Sequence, residues 1–335
     1  MARVLVTPHL LQRQPGPYRE ILEGAGHEVV FPEIGADTLQ RETIRRILVE
    51  HQIEGILAST EPLDREVLAE SHLKVVARQG VGYDSVDIPA ATDLGIAVTI
   101  TPGTLEASVA EQTLALLLAV SRGVIERDRD VRQGIWSRIA LPRLAGRICG
   151  LIGVGRIGRA VIKRMHGLEL SVLGFDPQLT DADAAELGIE RVSTVDELLT
   201  RSDIVSLHCP CSATTRNLID AAAMRRMKPR AILLNMGRGG LVDEEALVTV
   251  LESGHLLGAG LDVFAREPLP LDSPLLRAPR LVMSTHMGGL DEEAQIAASS
   301  LAARCIVDVL AGSLPTACLV DRNVRLERRG AAQDS

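Results

Sequence analysis

The 335-residue chain has few aromatic side chains: one Trp, two Tyr and three Phe, 2% of the total. That excludes the stacking platforms on which single-stranded nucleic acid is held. Only three of its 36 basic residues are lysines (Lys74, Lys163 and Lys228), so Schiff-base chemistry has few candidates. Positive charge is in deficit as a whole, with a net charge of -8 at pH 7. This argues against a general binder of nucleic acid or anionic membrane. The longest apolar stretch, Leu114 to Val120, falls far short of the ~20 residues that cross a bilayer. The leading MARVLVTPHL has no long apolar h-region or cleavage site, so no secretory signal is expected. Five cysteines form an odd set without framework spacing, which suits a reducing, cytoplasmic location. Cys209-x-Cys211 has no second ligand pair, so no metal is expected.

What is present is ordinary globular material, 46% hydrophobic and 24% charged. At ~150 residues per domain, the length suggests two domains. Short β-rich runs alternate with helical stretches. The strand candidates are Arg3–Thr7, Glu28–Phe31, Glu54–Ser59, Leu73–Ala77 and Ile96–Ile100, then Ile148–Gly153, Leu170–Asp176, Asp203–His208, Ala231–Asn235, Leu257–Val263 and Leu281–Thr285. Their two-sided apolar character is that of covered parallel sheets. Between them, Pro17–Gly24 and Leu39–His51 repeat apolar residues at three and four. The pattern implies an α/β fold with two doubly wound parallel sheets.

A boundary is expected near Thr101-Pro102-Gly103. The following stretch, Leu105 to Val120, reads as a helix that becomes apolar all round, which fits one buried between two domains. A late helix, Glu292 to Leu310, brings Ile296, Ser300, Val307 and Leu310 near one another in phase, and Pro315 stops it. Cys305 shares a face with Leu301 and Val309 and reads as core. The expected division is a discontinuous first domain, 1–101 plus 290–335, with 102–289 inserted into it. The polar tail Asn323–Ser335 reads as a solvated, frayed end.

The strongest local signal is the segment Gly153-Val-Gly155-Arg156-Ile157-Gly158, which follows a strand candidate and opens a helix. Gly153 permits the tight turn, Gly155 lets backbone approach a pyrophosphate, and Gly158 lets helix and strand pack closely. The helix start offers free N–H groups and a positive dipole end to phosphates. Asp176 ends the next strand, eighteen residues past Gly158. A carboxylate there accepts the two ribose hydroxyls and repels a 2′-phosphate, selecting NAD over NADP.

Three later segments carry polar residues that a plain core does not need. They are Asn235-Met-Gly-Arg238-Gly-Gly, Gly260-Leu-Asp262-Val-Phe-Ala-Arg-Glu267-Pro and Ser284-Thr-His286-Met-Gly-Gly. All three lie at the carboxyl ends of strand candidates, the edge that lines the ligand crevice of an open α/β sheet.

With Ala77-Arg-Gln-Gly-Val-Gly-Tyr-Asp-Ser-Val-Asp87, Val109-Ala-Glu-Gln-Thr-Leu-Ala-Leu-Leu-Leu118 and Asp203-Ile-Val-Ser-Leu-His-Cys-Pro210, these segments resemble the D-isomer-specific 2-hydroxyacid dehydrogenase family. The likeness is close from about residue 50 to residue 312 and loose before that. It implies a Rossmann NAD-binding domain inserted into a flavodoxin-like substrate domain that closes over its substrate. It also implies an Arg–Glu–His constellation matching Arg238, Glu267 and His286. Chemically, Arg238 supplies a guanidinium fork for a carboxylate and keto oxygen. His286 gives or takes the proton. Glu267 on the second ring nitrogen stabilises imidazolium, and NADH supplies the hydride. Formate-oxidising relatives pair their His with Gln, so Glu267 favours a hydroxy acid.

By the same resemblance, Arg156 and Ile157 sit over the pyrophosphate, and Asp262 bonds the nicotinamide carboxamide. Met236, Gly237, Arg238, His286, Gly288 and Gly289 pass beside the ring. Cys209, Pro210 and Thr215 line the nucleotide pocket, with His208 packed nearby. Backbone N–H groups of Gln79, Gly80 and Val81 meet the substrate carboxylate. Two departures stand out: Met236-Gly237 replaces a small hydroxyl or Ala pair, and Thr285 replaces a common Pro.

Arg78 resembles the phosphate-binding position of phosphoglycerate dehydrogenases, but Leu57-Ala-Ser-Thr-Glu61-Pro offers Glu61 where those enzymes often carry basic residues. The chain ends 23 residues past Gly312, so no C-terminal regulatory domain is expected. Val81-Gly-Tyr-Asp is similar to glyoxylate and hydroxypyruvate reductases. The implied substrates are therefore hydroxypyruvate, glyoxylate or phosphohydroxypyruvate. A homodimer is implied through the inserted domain, by the Leu105–Val120 helix and the loop around Trp136. Corepressors resembling this family keep its fold and triad, so an NAD(H)-sensing binding protein with little turnover stands as the alternative function.

Overall fold

A computed structural model describes residues 1–13, 16–33 and 40–326. The chain divides into two compact units, Met1–Leu105 with Asp291–Ser335, and Glu106–Leu290.

The first unit is built on a five-stranded parallel sheet of β1 (Arg3–Val6), β2 (Glu28–Val30), β3 (Gly55–Ala58), β4 (Val75–Arg78) and β5 (Ala97–Thr99), in the order β2-β1-β3-β4-β5. This is a doubly wound order. Side chains alternate across the strands. Val4, Val6, Leu57, Val75 and Ala77 pack on one face with Tyr18, Leu22 and Ile306. Leu5, Ile56, Ala58 and Val76 pack on the other with Ile44, Leu48, Val67 and Leu68. Each fully buried Leu or Ile contributes about 1.5–3 kcal/mol, so both layers are needed.

The helix Glu292–Leu310 covers the first of these faces, with Ser300 buried and Val307 and Leu310 packed on the core, but without Ile296. Ile296 is exposed, while Ala298, Ala302, Ala303, Cys305, Ile306 and Val309 are buried. The approach is close: a Cβ on Gly55 of β3 would lie 3.1 Å from the Ile306 side chain, so the strand gives way to the helix there. The tail also departs from expectation. Val324 is buried and Leu326 packs on the core; residues 327–335, like Leu39 at the expected start of the second helix, lie outside those described.

The second unit holds seven parallel strands: β6 (Ile148–Ile152), β7 (Ser171–Phe175), β8 (Glu190–Arg191), β9 (Ile204–Leu207), β10 (Ile232–Asn235), β11 (Gly258–Leu261) and β12 (Leu281–Met283). Their order is β12-β11-β10-β9-β6-β7-β8. The reversal falls between β6 and β9, the switch point where such sheets bind dinucleotides. The helix Glu106–Arg122 is not buried all round: Val109, Ala110, Thr113, Leu116, Leu117 and Val120 are buried, but Glu111 and Leu118 are exposed. Gly258 and Gly260 of β11 admit it, since Cβ atoms there would stand 2.8 Å from Val120 and 3.0 Å from Leu116. Among the described residues no single helix is long and apolar enough to cross a membrane.

Candidate active site

The glycine segment forms the turn between β6 and the helix Arg156–Gly167. Gly153 has φ +97, and a Cβ there would lie 2.7 Å from the Cys209 nitrogen. Only glycine satisfies both constraints. At Gly158 a Cβ would collide with the Gly153 carbonyl oxygen, which is the close helix–strand contact. Gly155 faces open space and is the helix N-cap, with no side chain capping the first turn. The N–H groups of that turn therefore remain available to an anion.

Asp176 follows β7. One of its oxygens accepts from the Val154 N–H (2.9 Å) and the other from the Gln178 N–H (2.8 Å). These bonds fix the carboxylate beside the glycine turn. Each oxygen keeps a lone pair for a ribose hydroxyl. An uncapped helix, an open glycine and a braced acid fit a dinucleotide, and the acid disfavours a 2′-phosphate.

Around this turn, Thr215 donates to the Pro210 carbonyl (2.8 Å), closing the 210–215 loop. Cys209 approaches Gly237, whose Cβ would lie 2.7 Å from the Cys209 carbonyl oxygen. Burial pushes the Cys209 thiol up to about 11, so it is not a reactive thiolate. His208 bonds Ser206 through Nε2 at 2.8 Å, its Nδ1 is buried without a partner, and burial holds its pKa down to about 4. It is a neutral group.

The adjacent strands β10, β11 and β12 send their carboxyl-end loops to one place. After β10, the Asn235 side chain accepts from the Gly237 N–H (3.1 Å) and donates to the Arg238 carbonyl (2.9 Å). The turn is locked and Arg238 leaves it half-buried. Gly239 packs so tightly on the Phe264–Ala265 backbone that no Cβ fits between them. This holds the Arg238 turn against the Glu267 loop.

His286 Nδ1 lies 2.7 Å from Glu267 Oε2, while Glu267 Oε1 accepts from the Phe264 N–H at 2.9 Å. Burial pushes the Glu267 carboxyl up, but the His286 bond, the Phe264 N–H and the charges of His286 and Arg238 prevail, and its pKa is lowered. The carboxylate is thus ionised and sits in the field of Arg238. His286 itself has φ +57, an uncommon conformation for a residue with a side chain.

Asp262 holds that conformation. Its carbonyl accepts the His286 N–H (2.8 Å). Its carboxylate takes Ser284 Oγ (2.6 Å), the Met287 N–H (2.8 Å) and the Gly288 N–H (2.8 Å). This buried acid, expected to bond a nicotinamide carboxamide, also braces the His286 loop. Gly288 rests on it, and a Cβ there would meet Asp262 at 3.0 Å and Met236 at 3.5 Å. Met236 is buried beneath the loop, and Gly289 follows it half-buried.

In the first unit, Arg78 ends β4, buried, and donates from Nε to the Gly82 carbonyl (3.0 Å). The expectation for the next three residues needs correction. The Gln79 N–H donates to Ala58 (3.0 Å) and the Gly80 N–H to Arg78 (3.0 Å), so neither is available to a substrate. Among the described residues the Val81 N–H meets no backbone carbonyl.

A group that sequence reasoning passed over is Glu244, in the first turn of the helix Glu244–Glu252. It accepts the Ala265 N–H at 2.6 Å. Its position behind the cap residue Asp243 looks like ordinary first-turn acidity, and nothing local signals a reach across 21 residues of chain.

Comparison with known proteins agrees with the geometry. Residues 114–288 match the family profile described as D-isomer specific 2-hydroxyacid dehydrogenase, NAD binding domain. A D-3-phosphoglycerate dehydrogenase of Mycobacterium leprae is 43% identical over 273 residues, covering 80% of this chain and 51% of the relative. A glyoxylate reductase of Thermofilum pendens is 41% identical over 273 residues, covering 79% and 80%. The chain therefore spans about half of the first relative and four-fifths of the second. Among solved structures, a protein from Thermus thermophilus superposes with a TM-score of 0.83 at 36% identity, covering 95% of this chain and all of the other.

Proposed function

Because the chain belongs to the D-isomer specific 2-hydroxyacid dehydrogenase family, we propose that it is an NAD-dependent oxidoreductase interconverting a small D-2-hydroxy acid and its 2-keto acid. The substrate is of the hydroxypyruvate, glyoxylate or phosphohydroxypyruvate type. The observation that carries this is the 2.7 Å His286–Glu267 pair standing in the field of Arg238.

The glycine turn, Arg156, Ile157 and Asp176 hold the dinucleotide, with Thr215 and Pro210 along its side. When bound, NADH supplies the hydride. Arg238 binds the substrate carboxylate and draws electron density toward the keto oxygen. His286 uses Nδ1 for Glu267, so Nε2 is the atom that gives the proton to the forming alkoxide. Glu267 keeps the ring oriented and stabilises its protonated form. In the oxidative direction the same nitrogen takes the hydroxyl proton. Asp262 keeps the His286 loop in its left-handed turn throughout.

The partner is proposed to be a second copy. On the helix Val124–Arg132 and the residues after it, Val124, Ile125, Val131, Ile135, Trp136 and Ile139 are exposed. A monomer rarely leaves so large an apolar patch in water. Light scattering at micromolar concentration should give twice the chain mass. The five cysteines are unpaired thiols, and we place the enzyme in the cytoplasm on that ground.

The primary test is a panel of small 2-keto acids with NADH, followed by absorbance and repeated with NADPH. Turnover with NADH and its loss in Arg238→Ala are expected. Tight NADH binding without turnover on any member of the panel would overturn the assignment.

A further inference from the structure

We propose that Glu244 is a positioning residue that tunes the acid–base pair, holding the Glu267 loop and adding a second negative charge behind protonated His286. This deepens the dehydrogenase reading and rests on it.

The geometry is specific. The loop after β11 presents two consecutive N–H groups, Phe264 and Ala265. Glu267 takes the first at 2.9 Å and Glu244 the second at 2.6 Å. Consecutive residues lie about 3.8 Å apart, so the two carboxylates grip neighbouring points of one backbone. Neither can withdraw by moving the loop, because Gly239 is packed on the same two residues without room for a Cβ.

A first-turn glutamate ordinarily faces solvent or returns to its own helix start. Here Asp243 already caps that helix, accepting the Ala246 N–H at 3.0 Å, and Glu244 is left to serve the loop. The arrangement carries a like-charge cost: burial and the neighbouring Glu267 push the Glu244 carboxyl up, against the Ala265 bond that lowers it. A structural tether for one N–H does not need a charge; a neutral acceptor would do.

The other charges around the pair are accounted for. Arg238 faces Glu267 from the β10 turn. The Asp262 carboxylate is occupied by Ser284, Met287 and Gly288. Arg266 of the loop and Glu245 of the helix are exposed. Glu244 is thus the remaining charge held against the Glu267 loop by a direct bond among the described residues.

The test is Glu244→Gln, which keeps an oxygen for the Ala265 N–H and removes the charge. Two readouts are taken on the full chain. The first is the imidazole NMR titration of His286, identified by its absence in His286→Gln. The second is the pH dependence of kcat/KM for keto-acid reduction. Both midpoints should fall by on the order of half a pH unit, and the rates of the two proteins should converge in acid, where Glu244 is protonated in the wild type. Glu244→Asp keeps the charge and should titrate close to wild type, which covers the case that the glutamine variant does not fold. Coincidence of Glu244→Gln with wild type in the NMR titration overturns the proposal, as does an equal shift in Glu244→Asp. Absence of turnover in the wild type would instead refute the dehydrogenase reading, and the NMR titration would still decide the role of Glu244.

Discussion

Two sheet edges in this chain are built to the same plan and have opposite characters. Both sheets are parallel and doubly wound, and both present polar residues at their carboxyl ends. In the second unit those residues are accessible and wired together: the Glu267 and His286 side chains are 35% and 44% exposed and bond each other. In the first unit they are sealed. Glu61, after β3, is 1% exposed and Arg78, ending β4, is 7% exposed. Both Glu61 carboxylate oxygens are buried without a hydrogen-bond partner. The fold provides the edge, and the loops decide its use. A buried, poorly satisfied acid is a cost to stability, whereas an exposed acid braced by backbone N–H groups is ready for chemistry.

The comparison breaks most visibly if the accessible edge does no chemistry. His286→Ala should lower kcat for keto-acid reduction by about 10²–10⁴-fold, the usual worth of a positioned general acid. Steady-state rates with NADH measure it, and the fold should persist, because the loop is held by Asp262 through backbone bonds that alanine retains. A rate within threefold of wild type would end the argument that this edge is catalytic.

Next in size is the cofactor end of the same edge. Asp176→Ala removes the acceptor for ribose hydroxyls and also the bond from Val154. A net loss equivalent to one hydrogen bond to a charged group, about 1.5–3 kcal/mol, should raise the KM for NADH by roughly tenfold to a hundredfold. The NADH-to-NADPH preference should narrow, since the repulsion of a 2′-phosphate goes with the charge. Asp176→Asn keeps an acceptor and should lie between the two.

Glu267→Gln tests the wiring itself. Reduction needs protonated His286, so the rate falls as pH rises through the midpoint of the pair. With the carboxylate gone, the imidazolium loses its partner and the fall should begin about one pH unit lower. A pH profile of kcat/KM unchanged in its basic limb would mean that the 2.7 Å contact is idle.

Much of this edge was legible in the sequence because its chemistry is local. The glycine turn, Asp176, Arg238, Glu267 and His286 each sit at a strand end that short apolar runs announce, and strand limits differ by only one or two residues. What escaped was set by packing at a distance. The two-residue β8 is exposed on both sides, so no apolar pattern marks it. Glu292–Leu310 leaves Ile296 exposed while burying Ala298, Ala302 and Ala303, which residue size alone does not announce. Asp262 turns to its own loop, and Glu244 crosses 21 residues of chain to a backbone N–H. No spacing rule encodes either.

The smallest effect sharpens the other side of the comparison. Burial pushes the Glu61 carboxyl up, and the polar surroundings with the charge of Arg78 only partly offset it. A folded-state pKa above the unfolded value means that the native protein binds the proton more tightly. The contribution is fully present below the ordinary glutamate range and is lost as pH rises through the raised folded-state pKa. Glu61→Gln has no such loss. Its Tm relative to wild type should therefore be level below about pH 4, near the ordinary glutamate value, and climb above it until the raised folded-state pKa has been passed. Thermal unfolding across that range measures it, with kcat followed in parallel. If the Tm difference is the same at every pH, Glu61 is not held as a buried acid and the sealed edge is a misreading. If the difference climbs while kcat stays level, the first unit's edge spends its polar residues on the fold and the second spends its own on the reaction.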